Sequence, residues 1–116
     1  MSTPEPSLAT VTHERAGWKI VVLEGEIDLS TAPALRHTLA AEGDAGVDRI
    51  AVDLRSVGFM DSMGLGVLIG ARRRLTERGG DLALVCVGGP VRRVLDVSGL
   101  ADIFTIGASD EALPSP

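Results

Sequence analysis

Apolar positions in this chain recur with two periods, and the two alternate along its length. The β-prone runs Ala9-Thr10-Val11-Thr12 and Trp18-Lys19-Ile20-Val21-Val22-Leu23 flank Gly17, the pattern of a hairpin. Ser30-Thr31-Ala32-Pro33 sets hydroxyl residues ahead of a proline and marks a helix start. Leu35 and Leu39 share one face of that helix, and Gly43 supplies its end. Ile50-Ala51-Val52-Asp53-Leu54 reads as a short strand buried on both faces, followed by a turn through Arg55-Ser56-Val57-Gly58. A helix from about Met63 to Arg78 carries Leu65, Leu68, Ile69 and Leu75 on its apolar side. Arg72, Arg73, Arg74 and Arg78 crowd its last turns, where cations complement the helix dipole, and Gly79-Gly80 stops it. Asp81 to Val87 reads as another strand. Gly88-Gly89-Pro90 opens a short helix with Val91, Val94 and Leu95 inward, closed by Gly99. Ile103-Phe104-Thr105-Ile106 reads as a final edge strand, and a last helical turn begins at Asp110 before Pro114 cuts it off.

Strands alternating with helices behind an opening hairpin predict an α/β fold. The expected form is a mixed, mainly parallel sheet of four to five strands packed with about four helices. Residues 1–8 read as an N-terminal tail, 9–113 as one domain and 114–116 as a C-terminal tail, with no internal repeat or linker.

Composition narrows the functional classes. A chain of 116 residues fits one domain, and 45% hydrophobic with 23% charged residues is an ordinary globular balance. Eleven basic against sixteen acidic residues give a net charge of −5, which argues against direct nucleic-acid binding. Apolar runs such as Ile20 to Leu23 and Val67 to Ile69 are far too short to span a bilayer. The polar, proline-rich start does not read as a signal peptide, and a lone cysteine, Cys86, suits a reducing compartment, so a cytoplasmic protein is expected. With two histidines, one lysine and one cysteine, no metal and no cofactor are expected.

One segment resists a purely structural explanation: Phe59-Met60-Asp61-Ser62-Met63-Gly64-Leu65-Gly66. Asp61 or Ser62 is a natural helix N-cap. Yet no Glu or Gln follows at the capping-box position, and two glycines in the first turns each cost about 1 kcal/mol relative to alanine. Phe59, Met60 and Met63 also crowd apolar bulk into a connection that ordinarily is polar. Glycines permit close approach by another molecule, and an apolar rim suits docking. A phosphate on Ser62 would meet the helix dipole favourably while adding roughly −2 charge to any interface. The pattern reads as a switchable binding face.

The same string resembles the signature of the anti-sigma-factor antagonists of bacterial STAS domains, Phe-Met/Leu-Asp-Ser-x-Gly-Leu-Gly after a strand. Glu24-Gly25-Glu26-Ile27-Asp28 and Val94-Leu95-Asp96-Val97-Ser98-Gly99-Leu100 are similar to two further blocks of that family. The resemblance covers roughly residues 9–113. It implies a STAS fold and a protein that, unmodified, binds an anti-sigma factor and frees a sigma factor. By the same resemblance that anti-sigma factor would itself be a serine kinase. It implies that this kinase phosphorylates Ser62 and breaks the complex, and that a serine phosphatase resets it. By the same resemblance Asp28 and Asp61 lie at the partner surface, together with Phe59, Met60, Ser62, Met63, Gly64, Leu65 and Gly66. Many members carry Ser or Thr where Met63 stands, so Ser62 is the only hydroxyl within this motif.

Other readings fit less well. Ser62 as a nucleophile lacks a neighbouring base, since His13 and His37 read as surface residues, and Met60 stands where a nucleophile elbow needs glycine. No enzyme is therefore expected. A phospho-receiver built on Asp53 would need a late lysine, and the single Lys19 comes early. Gly88-Gly89-Pro90 with Arg92 and Arg93 reads first as a loop and a solvated face, and Cys86 as buried-strand material. The alternative within the resemblance is a soluble STAS subunit of a lipid-transport ABC system or of a larger stress-signalling complex. With one partner face, a monomer between partners is expected.

Overall fold

The computed structural model describes residues 8–115. Five strands and three helices follow in the order β1 (Leu8–Arg15), β2 (Trp18–Ile27), α1 (Ala32–Asp44), β3 (Arg49–Met60), α2 (Ser62–Glu77), β4 (Asp81–Val85), α3 (Pro90–Val97) and β5 (Thr105–Gly107). The helical turn expected from Asp110 is the 3-10 turn Asp110–Ala112, whereas a second 3-10 turn, Ala101–Ile103, takes up the start of the expected final strand, and three α-helices stand where about four were expected. The expected tail falls mostly outside the described residues, but Leu8 is already in β1, opposite Gly25.

The strands lie in the order β1-β2-β3-β4-β5, antiparallel between the first two and parallel thereafter. Strands that add steadily in one direction through right-handed crossovers must place all three helices on one face of the sheet. The core follows this rule. Leu35 and Leu39 of α1, Leu65, Leu68 and Leu75 of α2, and Val91 and Leu95 of α3 pack with Val21, Leu23, Val52, Leu54 and Leu84 of the strands. The opposite face holds Trp18, Ile20, Ala51, Ala83 and Val85 around Leu113. Leu113 comes from the C-terminal segment, which crosses this face as a strap. Its Pro114 carbonyl accepts from the Trp18 indole N–H at 2.8 Å, and Asp110 and Glu111 meet His13 and Arg15 of β1.

The turn expected at Arg55 to Gly58 is instead the middle of β3. Serine and glycine are weak strand formers, but β2 runs on through Glu24 to Ile27 and pairs with this stretch. Two register shifts, between Val22 and Glu24 and between Gly25 and Glu26, accommodate the extension. Asp53, 4% exposed, is a structural residue. Its carboxylate accepts from the Arg55 amide at 3.0 Å and from the Arg55 guanidinium at 2.7 Å.

Candidate functional site

The β2–β3 pair reaches beyond β4: Asp53 is the last β3 residue paired with β4, whereas Met60 still pairs with Ile27. Both strands end together there, and each leads into a helix start. The connection is tied by the Asp61 amide, which donates to the Ile27 carbonyl at 3.2 Å.

Two aspartates organise the two helix starts. Asp61 is the N-cap of α2, and its carboxylate accepts from the amides of Met63 at 2.9 Å and Gly64 at 3.4 Å. That choice settles the cap between Asp61 and Ser62 and leaves Ser62 exposed as the first helical residue. Asp28 ties the turn that leads into α1, whose N-cap is Thr31: its carboxylate accepts from the amides of Ser30 and Thr31 at 2.9 and 3.2 Å. Thr31, 3% exposed, turns its hydroxyl back onto the Glu26 carbonyl at 2.7 Å. Asp28 and Asp61 therefore place two negative charges at the positive ends of neighbouring helices.

The motif residues divide between surface and interior. Ser62, Met63, Gly66 and Phe59 are exposed. Met60 and Leu65 are buried at 1% and 7%, and Gly64 is buried with them. These three were expected at the partner surface; the structure keeps the Met60 and Leu65 side chains almost wholly inside and packs the Gly64 backbone beside them. Gly64 is glycine for an internal reason. A Cβ there would lie 2.6 Å from Ile27 Cγ2 and 2.7 Å from Met60 Cγ, so the first turn of α2 rests directly on the strand ends. Gly66 has open space around it. Only this second glycine leaves room for another molecule. Phe59 alternates with Met60 along β3 and so points to the opposite side of the sheet.

Leu29 escaped the sequence reading. It is 71% exposed in the loop between β2 and α1, beside the Asp28 turn. A bulky apolar residue in an otherwise polar helix-start loop was the available signal, the same one that made Phe59 and Met63 conspicuous.

Elsewhere, Cys86 is 5% exposed just past β4, and burial raises its thiol pKa above the ordinary value. Arg92 pairs with Asp96 one turn along α3 at 3.2 Å. Among the described residues no group of three or more His, Cys, Asp or Glu side chains could hold a metal ion, and no helix is long and apolar enough to cross a membrane.

A one-sided α/β sheet with a small, acidic, partly apolar patch at two helix starts defines a binding domain. The STAS domain family matches residues 7–112. An anti-sigma-B factor antagonist of Bacillus subtilis (strain 168) is 38% identical over 91 residues, covering 78% of this chain and 83% of that protein. An anti-sigma F factor antagonist of Paenibacillus polymyxa is 38% identical over 99 residues, covering 81% and 80%. The crystal structure of an anti-sigma factor antagonist from Mycobacterium paratuberculosis superimposes with a TM-score of 0.83 at 30% identity, covering 96% of this chain and 93% of that one. The chain belongs to the STAS domain family, in its branch of anti-sigma-factor antagonists.

Proposed function

We propose that this chain is a cytoplasmic, non-enzymatic switch that binds a kinase-type anti-sigma factor when unmodified and releases it when Ser62 is phosphorylated. A serine phosphatase restores the binding form. The partner meets Ser62, Met63 and Gly66 at the start of α2, with Asp28 and Leu29 from the neighbouring loop and Phe59 from the strand end. Met60, Gly64 and Leu65 act from beneath, holding that helix start against the strands.

One observation carries the reading: Ser62 is exposed at a helix start whose Met63 and Gly64 amides are already taken by Asp61. A phosphate there finds those amides occupied and a carboxylate beside it. Its roughly −2 charge is therefore turned outward, toward whatever covers Met63 and Leu29. Moving a partner from mostly bound to mostly free needs a differential of about 3–5 kcal/mol. Repulsion and desolvation of a dianion trapped in such an interface supply energies of that size without any refolding.

The test is intact mass and peptide mapping of the protein from its own host, paired with binding of Ser62→Ala and Ser62→Asp to the co-purifying kinase. A species heavier by about 80 Da at Ser62 is expected, since one phosphate adds that mass. Ser62→Ala should bind and Ser62→Asp should bind poorly. Equal binding by both variants would refute the charge argument. An unmodified Ser62 under all growth conditions, with an ABC ATPase co-purifying, would replace it with the transport-subunit reading.

A further inference from the structure

We propose that the outer edge of β1, unpaired among the described residues, is a self-association surface, on which a second copy of this chain adds its own β1 in antiparallel register and joins two five-stranded sheets. β1 is the outer strand of the sheet, eight residues long, and every residue from Ala9 to Arg15 is exposed. Exposed edges are normally blunted by charged side chains, lysine above all, by proline or by a bulge. Leu8-Ala9-Thr10-Val11-Thr12-His13-Glu14-Arg15 contains no proline and no lysine, confines its charges to Glu14 and Arg15 at the hairpin end, and pairs with β2 without a shift from Leu8↔Gly25 to Arg15↔Trp18.

The hairpin turn sets which groups face outward. Ala16 and Gly17 have φ of 53° and 87°, the signature of a two-residue type I′ turn, in which Arg15 and Trp18 form a hydrogen-bonded pair. Alternation from that pair sends the amides and carbonyls of His13, Val11 and Ala9 toward β2. Those of Glu14, Thr12, Thr10 and Leu8 point out of the sheet, toward a partner. A two-fold axis at Val11 then sets Thr10 of each copy against Thr12 of the other, exchanging their backbone hydrogen bonds. Val11 meets Val11, Ala9 meets His13, and Leu8 meets Glu14. No like charges are opposed, and β-branched residues sit at the centre.

Charge and geometry favour a second copy as the occupant. The chain carries a net charge of −5, yet from Leu8 to Thr12 β1 holds no charged residue, and its charges, Glu14 and Arg15 with Asp110 and Glu111 beside them, sit at the hairpin end, so the two-fold pairing sets the charged ends of two copies apart from each other. The other edge strand, β5, has three residues, Thr105–Gly107. It cannot match an eight-residue ladder, so β1 pairs with β1 and the assembly closes as a dimer instead of propagating. None of Asp28, Leu29 or Phe59 to Gly66 lies on β1. The dimer differs from the monomer expected between partners and stands independently of the Ser62 switch.

Sedimentation velocity of the full chain from roughly 10 µM to roughly 1 mM tests this, because one strand per copy lies at the small, weak end of interface sizes. The mean mass should rise toward twice 12.1 kDa across that range. Thr12→Pro removes an outward amide that has no partner in β2, and Val11→Lys sets two cations on the axis at a position 66% exposed. Each should weaken association at least about tenfold while circular dichroism still shows a cooperative melt. Val11→Cys should cross-link to itself under mild oxidation and Ala9→Cys should not, because only residue 11 faces its own copy. A mass that stays monomeric throughout, or a dimer indifferent to both Thr12→Pro and Val11→Lys, overturns the proposal.

Discussion

The amide of Asp61 donates to the carbonyl of Ile27, and through that 3.2 Å contact the start of α2 is anchored to the end of β2. The Asp28 turn follows Ile27 directly, so the two acidic helix starts form one unit. Asp61 holds its side through its side chain as well, and this separates its structural role from its charge. Asp61→Ala loses the cap and should destabilise the fold by about 0.5–2 kcal/mol in urea unfolding. Asp61→Asn keeps an acceptor oxygen for Met63 and Gly64 and should stay within a few tenths of a kcal/mol of the parent. If both variants lose equal stability, the carboxylate charge and not the cap is what the helix start needs.

The two motif glycines should respond in opposite directions. Gly64→Ala forces a methyl group to within 2.6 Å of Ile27 Cγ2, and overpacking of that kind costs about 1–3 kcal/mol. Gly66→Ala meets nothing within 4 Å and should stabilise α2 by up to about 1 kcal/mol through helix propensity. Thermal melts of the two variants read this directly. On the proposed partner face the added methyl of Gly66→Ala should nevertheless weaken binding, so stability and affinity should move apart.

These two glycines also show how far the residues alone carry the argument. Their oddity in a first helical turn was legible as a departure from stability rules. Which one packs inward was not, because that depends on how closely α2 lies over Ile27 and Met60. Alternation of strands and helices sufficed for the fold class, since apolar period tracks local structure. The length of β3 escaped because Arg55 to Gly58 are held extended by β2, a contact distant in sequence. Similarly, Pro114 reads locally as tail, yet its carbonyl accepts from Trp18 across the sheet. Long-range pairing is invisible to local patterns.

Cys86 should be slow to alkylate. Burial, ahead of all other influences, raises its thiol pKa, which lowers the thiolate fraction at any given pH. Its Sγ also lies 3.3 Å from the Val87 carbonyl. Reaction with iodoacetamide at pH 8 should run at least about tenfold slower in the native protein than in urea. Equal rates would mean that the end of β4 opens freely.

The C-terminal strap should hold firm until strongly acidic pH. Partial burial pushes the Asp110 carboxyl upward, but the hydrogen bond with His13 and the charge of Arg15 outweigh it and hold its pKa below the ordinary carboxylate value. A depressed folded-state pKa contributes stability that is fully present above the unfolded value of about 3.9, and that is lost as pH falls through the lower folded value. Trp18 is the only tryptophan and its indole N–H is bound to Pro114, so its emission reports strap docking. The emission should be constant from neutral pH down to about pH 4 and shift only below it. Asp110→Asn should be less stable at neutral pH and show a smaller acid-dependent drop. Leu113→Ala, which empties the centre of the back-face cluster, should release the strap at every pH, at a cost of about 2 kcal/mol or more. Loss of docking as pH falls through the neutral range would contradict the assignment, because the Asp110 carboxyl, held below the ordinary carboxylate value, is still fully ionised there.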